Sequence, residues 1–568
     1  MSGHTQGRGA EGRPGDVGLE PIPDALLASL ALPPAYPDDP SAGRGVEVVQ
    51  THLSTVYLTG ERVYKLRKAV DLGFVCFLSR AQRNADCLRE IHLNRRLAPD
   101  VYLGVAPLQE GDGAYRVGPL ADELAPPASG GSPPEHCVVM RRLPAGRDAL
   151  SLLEQGAVRA RHIEAIAQCV ARFHEQNRLG TPAIFSSEQW LQRITEPVAA
   201  NFESLAKVAG RLVPRATLTR ASEHARAFVE AHAADFEARR LAGRVVDGHG
   251  DLHLQHVWFE RDDSEPLVID CAEFRDDFRR IDAAADIAFL AMDLVYRRRP
   301  RMAERLLAIY AGETDDFDLY RVVDYFVSYR AAVRAKVAAL AVDDMALDTA
   351  QREAAVGSAR RHLALAARAL ERGGRGGLVL LCGMVGTGKS TLGALVADEL
   401  GGVAIASDRV RKRLAGLASD ARTESGWGRD LYTTERTSEV YAGLLERATP
   451  VLESGRVAVL DATFATKDLR APVIRWARER GVSAFLLETR CGASAVLERL
   501  ARRQARGRDP SEAGPAEYAR SLEGFEPPDE WPEPDRAVVD TDAPGWKGEA
   551  RARLRRLRER LRAIRGAF

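Results

Sequence analysis

The sequence predicts two folded parts in succession: a mixed α+β domain over residues 46–370 and an α/β domain with a parallel sheet over 378–545. Three observations predict this. The apolar run Leu378-Val379-Leu380-Leu381 leads straight into a glycine-rich loop, Gly383 to Ser390, and then a helical pattern. Short alternating stretches crowd the region from Val46 to Leu143, whereas residues 150–370 are mostly helical, interrupted at 245–270. A Gly/Arg run at 371–377 reads as a linker between the two parts.

Composition narrows the class. Hydrophobic residues make up 45% of the 568 and charged residues 28%, the balance of an ordinary globular chain. Lys+Arg and Asp+Glu are both 80, so no overall field favours nucleic acid or an anionic membrane. No apolar run reaches the roughly 18 residues needed to span a bilayer. The seven cysteines are odd in number, scattered and without a C-x-x-C pair, which predicts reduced thiols and a cytoplasmic setting. The first twenty residues are Gly-rich and polar, a disordered tail, and 21–45 form a Pro-rich lead-in. No feature of the sequence specifies an oligomeric state. Lysine is scarce, eight against 72 arginines, so Lys65 and Lys389 invite a reason.

From Val46 onward, Val56-Leu58, Thr59-Gly60 and Val63-Leu66 read as a hairpin that carries Lys65. Ser79 to Gln82 fits a capping box for a helix that carries Glu90 and runs to Leu97, before Pro99. Further on, Val257-Trp258-Phe259 and Leu267-Val268-Ile269 flank a polar turn. A turn centred on residue 263 sets His256 opposite Asp270, with Asp251 at the same end. Two carboxylates beside an imidazole suit phosphoryl transfer: one orients and deprotonates a hydroxyl, the other holds a divalent cation. A rival reading takes His249, Asp251, His253 and His256 as a transition-metal set, which leaves Lys65, Glu90 and Asp270 unexplained.

Gly383, Gly386, Thr387, Gly388, Lys389, Ser390 and Thr391 carry the G-x-x-x-x-G-K-S spacing of a phosphate-binding loop (P-loop) between strand and helix. Glycines let backbone N–H groups wrap a nucleotide's phosphates. The lysine reaches the β- and γ-phosphates, and the Ser390 hydroxyl ligates Mg²⁺. The helix continues through Leu392, Leu395, Val396 and Leu400 to a Gly401-Gly402 stop. The last helix, within 546–568, has apolar residues at 554, 557, 561, 564 and 568 and arginines elsewhere, a basic amphipathic element.

His249-Gly250-Asp251 followed by Ile269-Asp270 resembles the catalytic and metal motifs of aminoglycoside phosphotransferase-like kinases, which share the two-lobed protein-kinase-like fold. The resemblance implies a small lobe at 46–142 and a large lobe at 143–370, with Met140 to Leu143 at the hinge. It implies Asp251 as catalytic base, Asp270 as metal ligand, Lys65 as phosphate contact and Glu90 as its ion-pair partner. The family usually has Asn five residues after the catalytic aspartate. Here His256 stands there as metal ligand, a poorer partner for hard Mg²⁺. His52 to Thr55 occupies the place of the family's Gly-rich loop, with hydroxyl and N–H groups to serve phosphates.

The second domain resembles gluconate kinase-like, zeta-toxin-like and polynucleotide kinase-like proteins in its P-loop and in Val403 to Arg411. That likeness implies Asp408 as the base for an acceptor hydroxyl and Arg411 as a grip for an acceptor's anion. It implies Asp461 as an acid near Mg²⁺. It also implies a lid of arginines on helix 494–506, with Arg503 as catalytic residue beside Arg499, and Arg506 and Arg508 beyond. The pairing of the two domains resembles a family of bifunctional bacterial proteins. Together these readings predict an ATP- and Mg²⁺-dependent phosphotransferase acting on hydroxyl groups of small molecules through two nucleotide sites. Two alternatives stand beside it: a nucleotide-binding regulatory protein whose first domain is a weak pseudokinase, and a nucleic-acid-end kinase.

Overall fold

The computed structural model describes residues 19–71, 73, 75–126, 133–342, 348–371, 374, 376–417, 434–506 and 514–565. Residues 1–18 of the predicted disordered tail, Arg508 and Phe568 lie outside these, and so do the side chains of Arg506 and Ile564; the tail's last residue, Glu20, donates its N–H to Leu78 O at 2.9 Å. The chain forms two compact units. The first holds Met1–Ala157, His249–Asp251 and Gln255–Arg279; the second holds Val158–Gly248, Leu252–Leu254 and Arg280–Phe568. Residues 158–248 and 280–371 thus share a compact unit with the P-loop segment.

In the first unit, α1 (Asp24–Leu30) precedes a six-stranded sheet: β1 (Glu47–Gln50), β2 (Ser54–Leu58), β3 (Arg62–Arg67), β4 (Tyr102–Gly111), β5 (Ala114–Val117) and β6 (Glu135–Arg141). Its order is β1-β2-β3-β6-β4-β5. Lys65 pairs with Val56 on one side and Val138 on the other, so it sits on a central strand. Leu26 and Leu30 of α1 bury against Tyr57, Tyr64 and Leu108 on one face. Cys87 and Ile91 of α2 (Arg80–Asn94) bury against Val105, Val138 and Met140. Helix α2 starts with the predicted capping box, Ser79 with Gln82, but its regular turns end at Asn94, three residues short of Leu97. Helix α3 (Ala149–Glu154) follows.

The chain then enters the second unit with α4 (Ala160–Gln176), α5 (Ser187–Ala206), α6 (Arg215–Leu241) and β7 (Val245–Asp247). It returns to the first unit for the hairpin β8 (Val257–Trp258) and β9 (Leu267–Val268) and for α7 (Asp276–Arg279). Val257 pairs with Val268 and Trp258 with Leu267. The register differs from the expectation by one residue: Ile269, not Asp270, hydrogen-bonds back to His256. The turn is closed by Ser264 N–H on Arg261 O, which centres it between 262 and 263.

The rest lies in the second unit. Strand β10 (Arg280–Asp282) pairs antiparallel with β7, and α8 (Ala283–Tyr296), α9 (Pro300–Thr314), α10 (Val323–Ala341) and α11 (Thr349–Ala369) follow. Next come β11 (Gly377–Cys382), α12 (Lys389–Leu400), β12 (Val403–Ala406), α13 (Ser407–Leu414), α14 (Thr434–Glu453), β13 (Ala458–Asp461), α15 (Lys467–Glu479), β14 (Ser483–Arg490), α16 (Ala493–Arg506), α17 (Pro515–Gly524), β15 (Arg536–Asp540) and α18 (Trp546–Arg565). All five strands run parallel in the order β12-β13-β11-β14-β15. Gly377, expected in the linker, is the first strand residue and is buried, paired with Ser483. Leu554, Leu557 and Leu561 of α18 join Leu392, Leu395 and Val396 of α12 in one core, which leaves the arginine-rich face outward.

Candidate active sites

Site residues of the first unit come from three separate segments. Lys65 Nζ lies 2.9 Å from Glu90 Oε1 and 2.7 Å from Asp270 Oδ1. Burial works against charge on the ammonium, but Asp270 and then Glu90 outweigh it and raise the Lys65 pKa. Burial likewise works against the Asp270 carboxylate, yet Lys65 and then His256 pull its pKa well below the usual carboxylate range. Asp270 takes a left-handed backbone, φ 63°, fixed by its N–H donating to the Tyr102 hydroxyl at 3.0 Å. The next N–H, of Cys271, donates to Asn94 Oδ1 at 2.9 Å. Helix α2 thus holds both the lysine's partner and the aspartate's loop.

His249 links the catalytic loop to the aspartate-bearing segment. Its Nε2 lies 2.9 Å from Ile269 O and its Nδ1 accepts from Asp251 N at 3.3 Å. Those partners assign the neutral tautomer with hydrogen on Nε2. Gly250 has φ 82°, and a Cβ there would lie 2.6 Å from Phe278 O, so only glycine fits between His249 and Asp251. His256 sits between the two acids. Its Nδ1 is 2.9 Å from Asp251 O and 3.7 Å from Asp251 Oδ2, and its Nε2 is 3.6 Å from Asp270 Oδ2. With hydrogen on Nδ1, the Nε2 lone pair faces a carboxylate, an arrangement that suits a shared cation or a proton on Nε2.

Sequence reasoning missed the residues behind this site. Arg67, fully buried, reaches Asp86, Glu90 and Glu273 at once. Burial pushes the Glu273 carboxyl up to about 8; Arg67 opposes this, and Glu90 reinforces it. Arginine is everywhere in this chain, so Arg67 carried no signal of its own, and Glu273 lies 206 residues away from it. The expectation for the hydroxyls of His52 to Thr55 is corrected. Thr51 and Ser54 close the β1–β2 turn, the Ser54 hydroxyl accepts from Arg67 at 2.9 Å, and the Thr55 hydroxyl donates to Gln50. These hydroxyls are spent inside the sheet.

The second constellation lies where parallel strands end. Leu381 and Ala406 both pair with Asp461, which brings the P-loop, α13 and Asp461 to one crevice. Gly383, Gly386 and Gly388 have φ of 147°, 79° and 91°. A Cβ on Gly383 would lie 2.3 Å from Thr489 Oγ1. Lys389 Nζ donates to Gly383 O at 3.0 Å and Met384 O at 2.9 Å. Burial lowers its pKa, while Asp461 and Asp408 oppose that and Arg503 adds to it. Ser390 and Thr391 are exposed on the first turn of α12. Asp408 Oδ1 accepts from Arg411 Nη1 at 3.0 Å.

Hydrogen bonds place two further side chains. The Thr387 hydroxyl bonds Met384 O and Thr489 Oγ1, each at 2.7 Å, and is wholly buried. Its side chain shapes the loop from within. Arg499 donates to Thr541 Oγ1 at 2.9 Å and Thr541 O at 2.8 Å. Thr541 Oγ1 in turn donates to Thr387 O at 2.7 Å. Arg499 therefore braces the P-loop, whereas Arg503 acts on the field around Lys389.

Residues 60–324 match a family model described as phosphotransferase enzyme family, and residues 378–528 match one described as AAA domain. The protein Rv2004c of Mycobacterium tuberculosis is 31% identical over 449 residues, covering 79% of this chain and 84% of that protein. Mb2027c of Mycobacterium bovis gives the same figures: 31%, 79% and 84%. Among solved structures, a choline/ethanolamine kinase family protein from Mesorhizobium loti covers 57% of this chain and 92% of its own, at 13% identity and TM-score 0.32. A gluconokinase from Sinorhizobium meliloti covers 33% and 95%, at 22% identity and TM-score 0.24.

The fold and sites define a phosphotransferase with an aminoglycoside phosphotransferase-like domain followed by a P-loop kinase-like domain. The chain belongs to the family of Rv2004c and Mb2027c. No helix among the described residues is long and apolar enough to cross a membrane.

Proposed function

We propose that this phosphotransferase uses ATP and Mg²⁺ to phosphorylate hydroxyl groups of small molecules, with one nucleotide site in each domain. The domains are 46–370 and 378–545, joined by the Gly/Arg segment and closed by the C-terminal helix. The carrying observation is the contact of Lys65 with both Glu90 and Asp270. It sets an ammonium for phosphates beside a carboxylate for their metal. The donor set suits a hard cation: the Asp251 and Asp270 carboxylates are both partly exposed and His256 sits between them. In the first site Asp270 and His256 would hold Mg²⁺, which neutralises phosphate charge when bound. Asp251 takes the acceptor's proton. In the second, Gly383, Gly386, Gly388, Lys389 and the backbone of Thr387 and Thr391 would cradle phosphates. Ser390 and Asp461 would hold the metal, Asp408 is the base, and Arg503 stabilises charge on the transferred group.

A regulatory reading, with the first domain a weak pseudokinase, is favoured by one observation. The His256 imidazole is pinned to the Asp251 carbonyl where an amide oxygen would serve Mg²⁺ better. Against the nucleic-acid reading, Arg551, Arg553, Arg558 and Arg560 of α18 all pair with carboxylates of the same domain.

The test is transfer of label from γ-labelled ATP to a library of hydroxyl metabolites by the full chain. Asp251→Asn should remove transfer to acceptors of the first site and Asp408→Asn to those of the second, each by about 10²–10⁴ as for a general base. Absence of transfer to every hydroxyl compound overturns the proposal.

A further inference from the structure

Three arginines of the P-loop domain converge on the C-terminal end of α9, a helix of the phosphotransferase-family domain. Arg409 Nη1 and Nη2 both lie 3.2 Å from Glu313 Oε1. Arg413 Nη2 donates to the Glu313 backbone carbonyl. Arg447 of α14 grips Asp315 bidentately, at 2.7 and 2.6 Å. Asp315, with φ 52°, ends α9 in a left-handed turn. The last carbonyls of a helix have no partner within it, and its C-terminal end favours cations, so these contacts satisfy α9 as well as joining it. The approach is close: a Cβ on Gly312 would meet Arg409 Nη1 at 3.4 Å.

Helix periodicity gives this contact a consequence. On α13, Arg409 and Arg413 are four residues apart and share one face. Asp408 and Arg411, three apart and ion-paired at 3.0 Å, share another about 150° away at roughly 100° per residue. Val410 occupies a third face and is buried. A Cβ on Gly443 of α14 would touch it at 3.0 Å. The core contact fixes where α13 lies. A rotation about the helix axis would swing Asp408 relative to Lys389, and the grip on Arg409 and Arg413 opposes that rotation.

We propose that Glu313 is a positioning residue for the P-loop kinase-like site. It lies in the same compact unit, in the segment that matches the phosphotransferase family, and by its carboxylate on Arg409 and its backbone carbonyl on Arg413 it sets the rotation of α13 and hence the aim of the Asp408–Arg411 pair. This rests on the assignment of Asp408 and Lys389 to one site. The acceptor end of the second site is then completed by α9, so this helix end, in the segment matching the phosphotransferase family, is a place from which the P-loop site's chemistry can be tuned.

The test uses the full chain. Glu313→Ala combined with Arg413→Ala, which removes the carboxylate on Arg409 and the donor to the Glu313 carbonyl, should raise backbone hydrogen exchange across 407–414 by about tenfold or more relative to wild type and leave 389–400 unchanged. Hydrolysis of ATP with no added acceptor should fall several-fold in kcat, with KM for ATP within about twofold, because the P-loop is untouched. The exchanged pair, Glu313→Arg with Arg409→Glu, should recover turnover that either single change loses. Unchanged exchange in α13 overturns the proposal, and so does a rise in KM for ATP without loss of kcat. If the wild type hydrolyses no ATP without an acceptor, transfer to the hydroxyl library takes its place as the readout, its absence overturns the kinase reading of the second site, and the exchange data decide whether Glu313 holds α13.

Discussion

Lys65 Nζ and Asp270 Oδ1 meet at 2.7 Å although 205 residues separate them in sequence. The contact joins a central strand of the six-stranded sheet to the loop after β9, and Glu90 holds the lysine from the other side at 2.9 Å. Lys65→Ala should abolish phosphoryl transfer at the first site while the protein still folds. Breaking a buried pair by removing one partner typically costs about 3–5 kcal/mol. Here Glu90 keeps Arg67 and Asp270 is partly exposed, so the loss should fall at or below the low end. Urea unfolding of the variant measures it. A loss above about 5 kcal/mol would show that Lys65 carries the fold rather than the chemistry.

Glu273 sets a pH dependence. Its folded pKa is raised to about 8 by burial, against an ordinary value near 4.5. A carboxyl that binds its proton more tightly when folded contributes fully below the unfolded pKa. That contribution is lost as pH rises through the folded value. Wild-type Tm should therefore fall between about pH 4.5 and 8 relative to Glu273→Gln, which keeps an acceptor for Arg67 without the charge. Parallel Tm curves for the two proteins across that range would refute the raised value.

How much of this was legible follows from where each signal resides. The P-loop, Lys65, Glu90, Asp251 and Asp270 lie in local patterns of residue type and spacing, and the structure brings each group together. The hairpin was legible and its register was not: a turn centred half a residue earlier moves His256 from Asp270 to Ile269. Motif spacing does not say which way a side chain points, so the inward turn of the Thr387 hydroxyl, which leaves its backbone for a phosphate, was not legible. The Arg67 network and the docking of α9 on α13 were invisible. Their partners are distant in sequence, and arginine is too common here to mark any one position. The same holds for Arg456, buried between Glu304 and Asp324.

Lys389→Ala should remove nucleotide binding at the second site. The ammonium now donates to the Gly383 and Met384 carbonyls, contacts that order the loop, and it is the one P-loop side chain suited to β- and γ-phosphates. Calorimetry of the full chain with MgADP should give two binding sites in the wild type and one in the variant. Arg456 joins both domains through buried ion pairs, so separated fragments would leave charges uncompensated, and the intact chain is the proper sample. Two sites in Lys389→Ala would disprove the assignment.

The last prediction concerns His256. Its Nδ1 contacts the Asp251 carbonyl at 2.9 Å, which directs Nε2 toward Asp270, 3.6 Å away. Nε2 and the carboxylate can therefore share a proton or a metal, while the Lys65 ammonium holds the other carboxylate oxygen. Asp270 can hold Mg²⁺ without the imidazole, because Mg²⁺ keeps several waters and takes one or two carboxylates besides phosphate oxygens. His256→Asn supplies an amide oxygen, a harder ligand than imidazole nitrogen. In a Lys389→Ala background, where only the first site binds, MgADP affinity should hold or rise by up to about tenfold, some 1.4 kcal/mol. A fall of about tenfold would mean that the histidine is a true ligand and the site has been retuned around it. Turnover separates the remaining readings: a working kinase gains phosphoryl transfer from the asparagine, whereas a pseudokinase adapted to its histidine binds more tightly and transfers nothing.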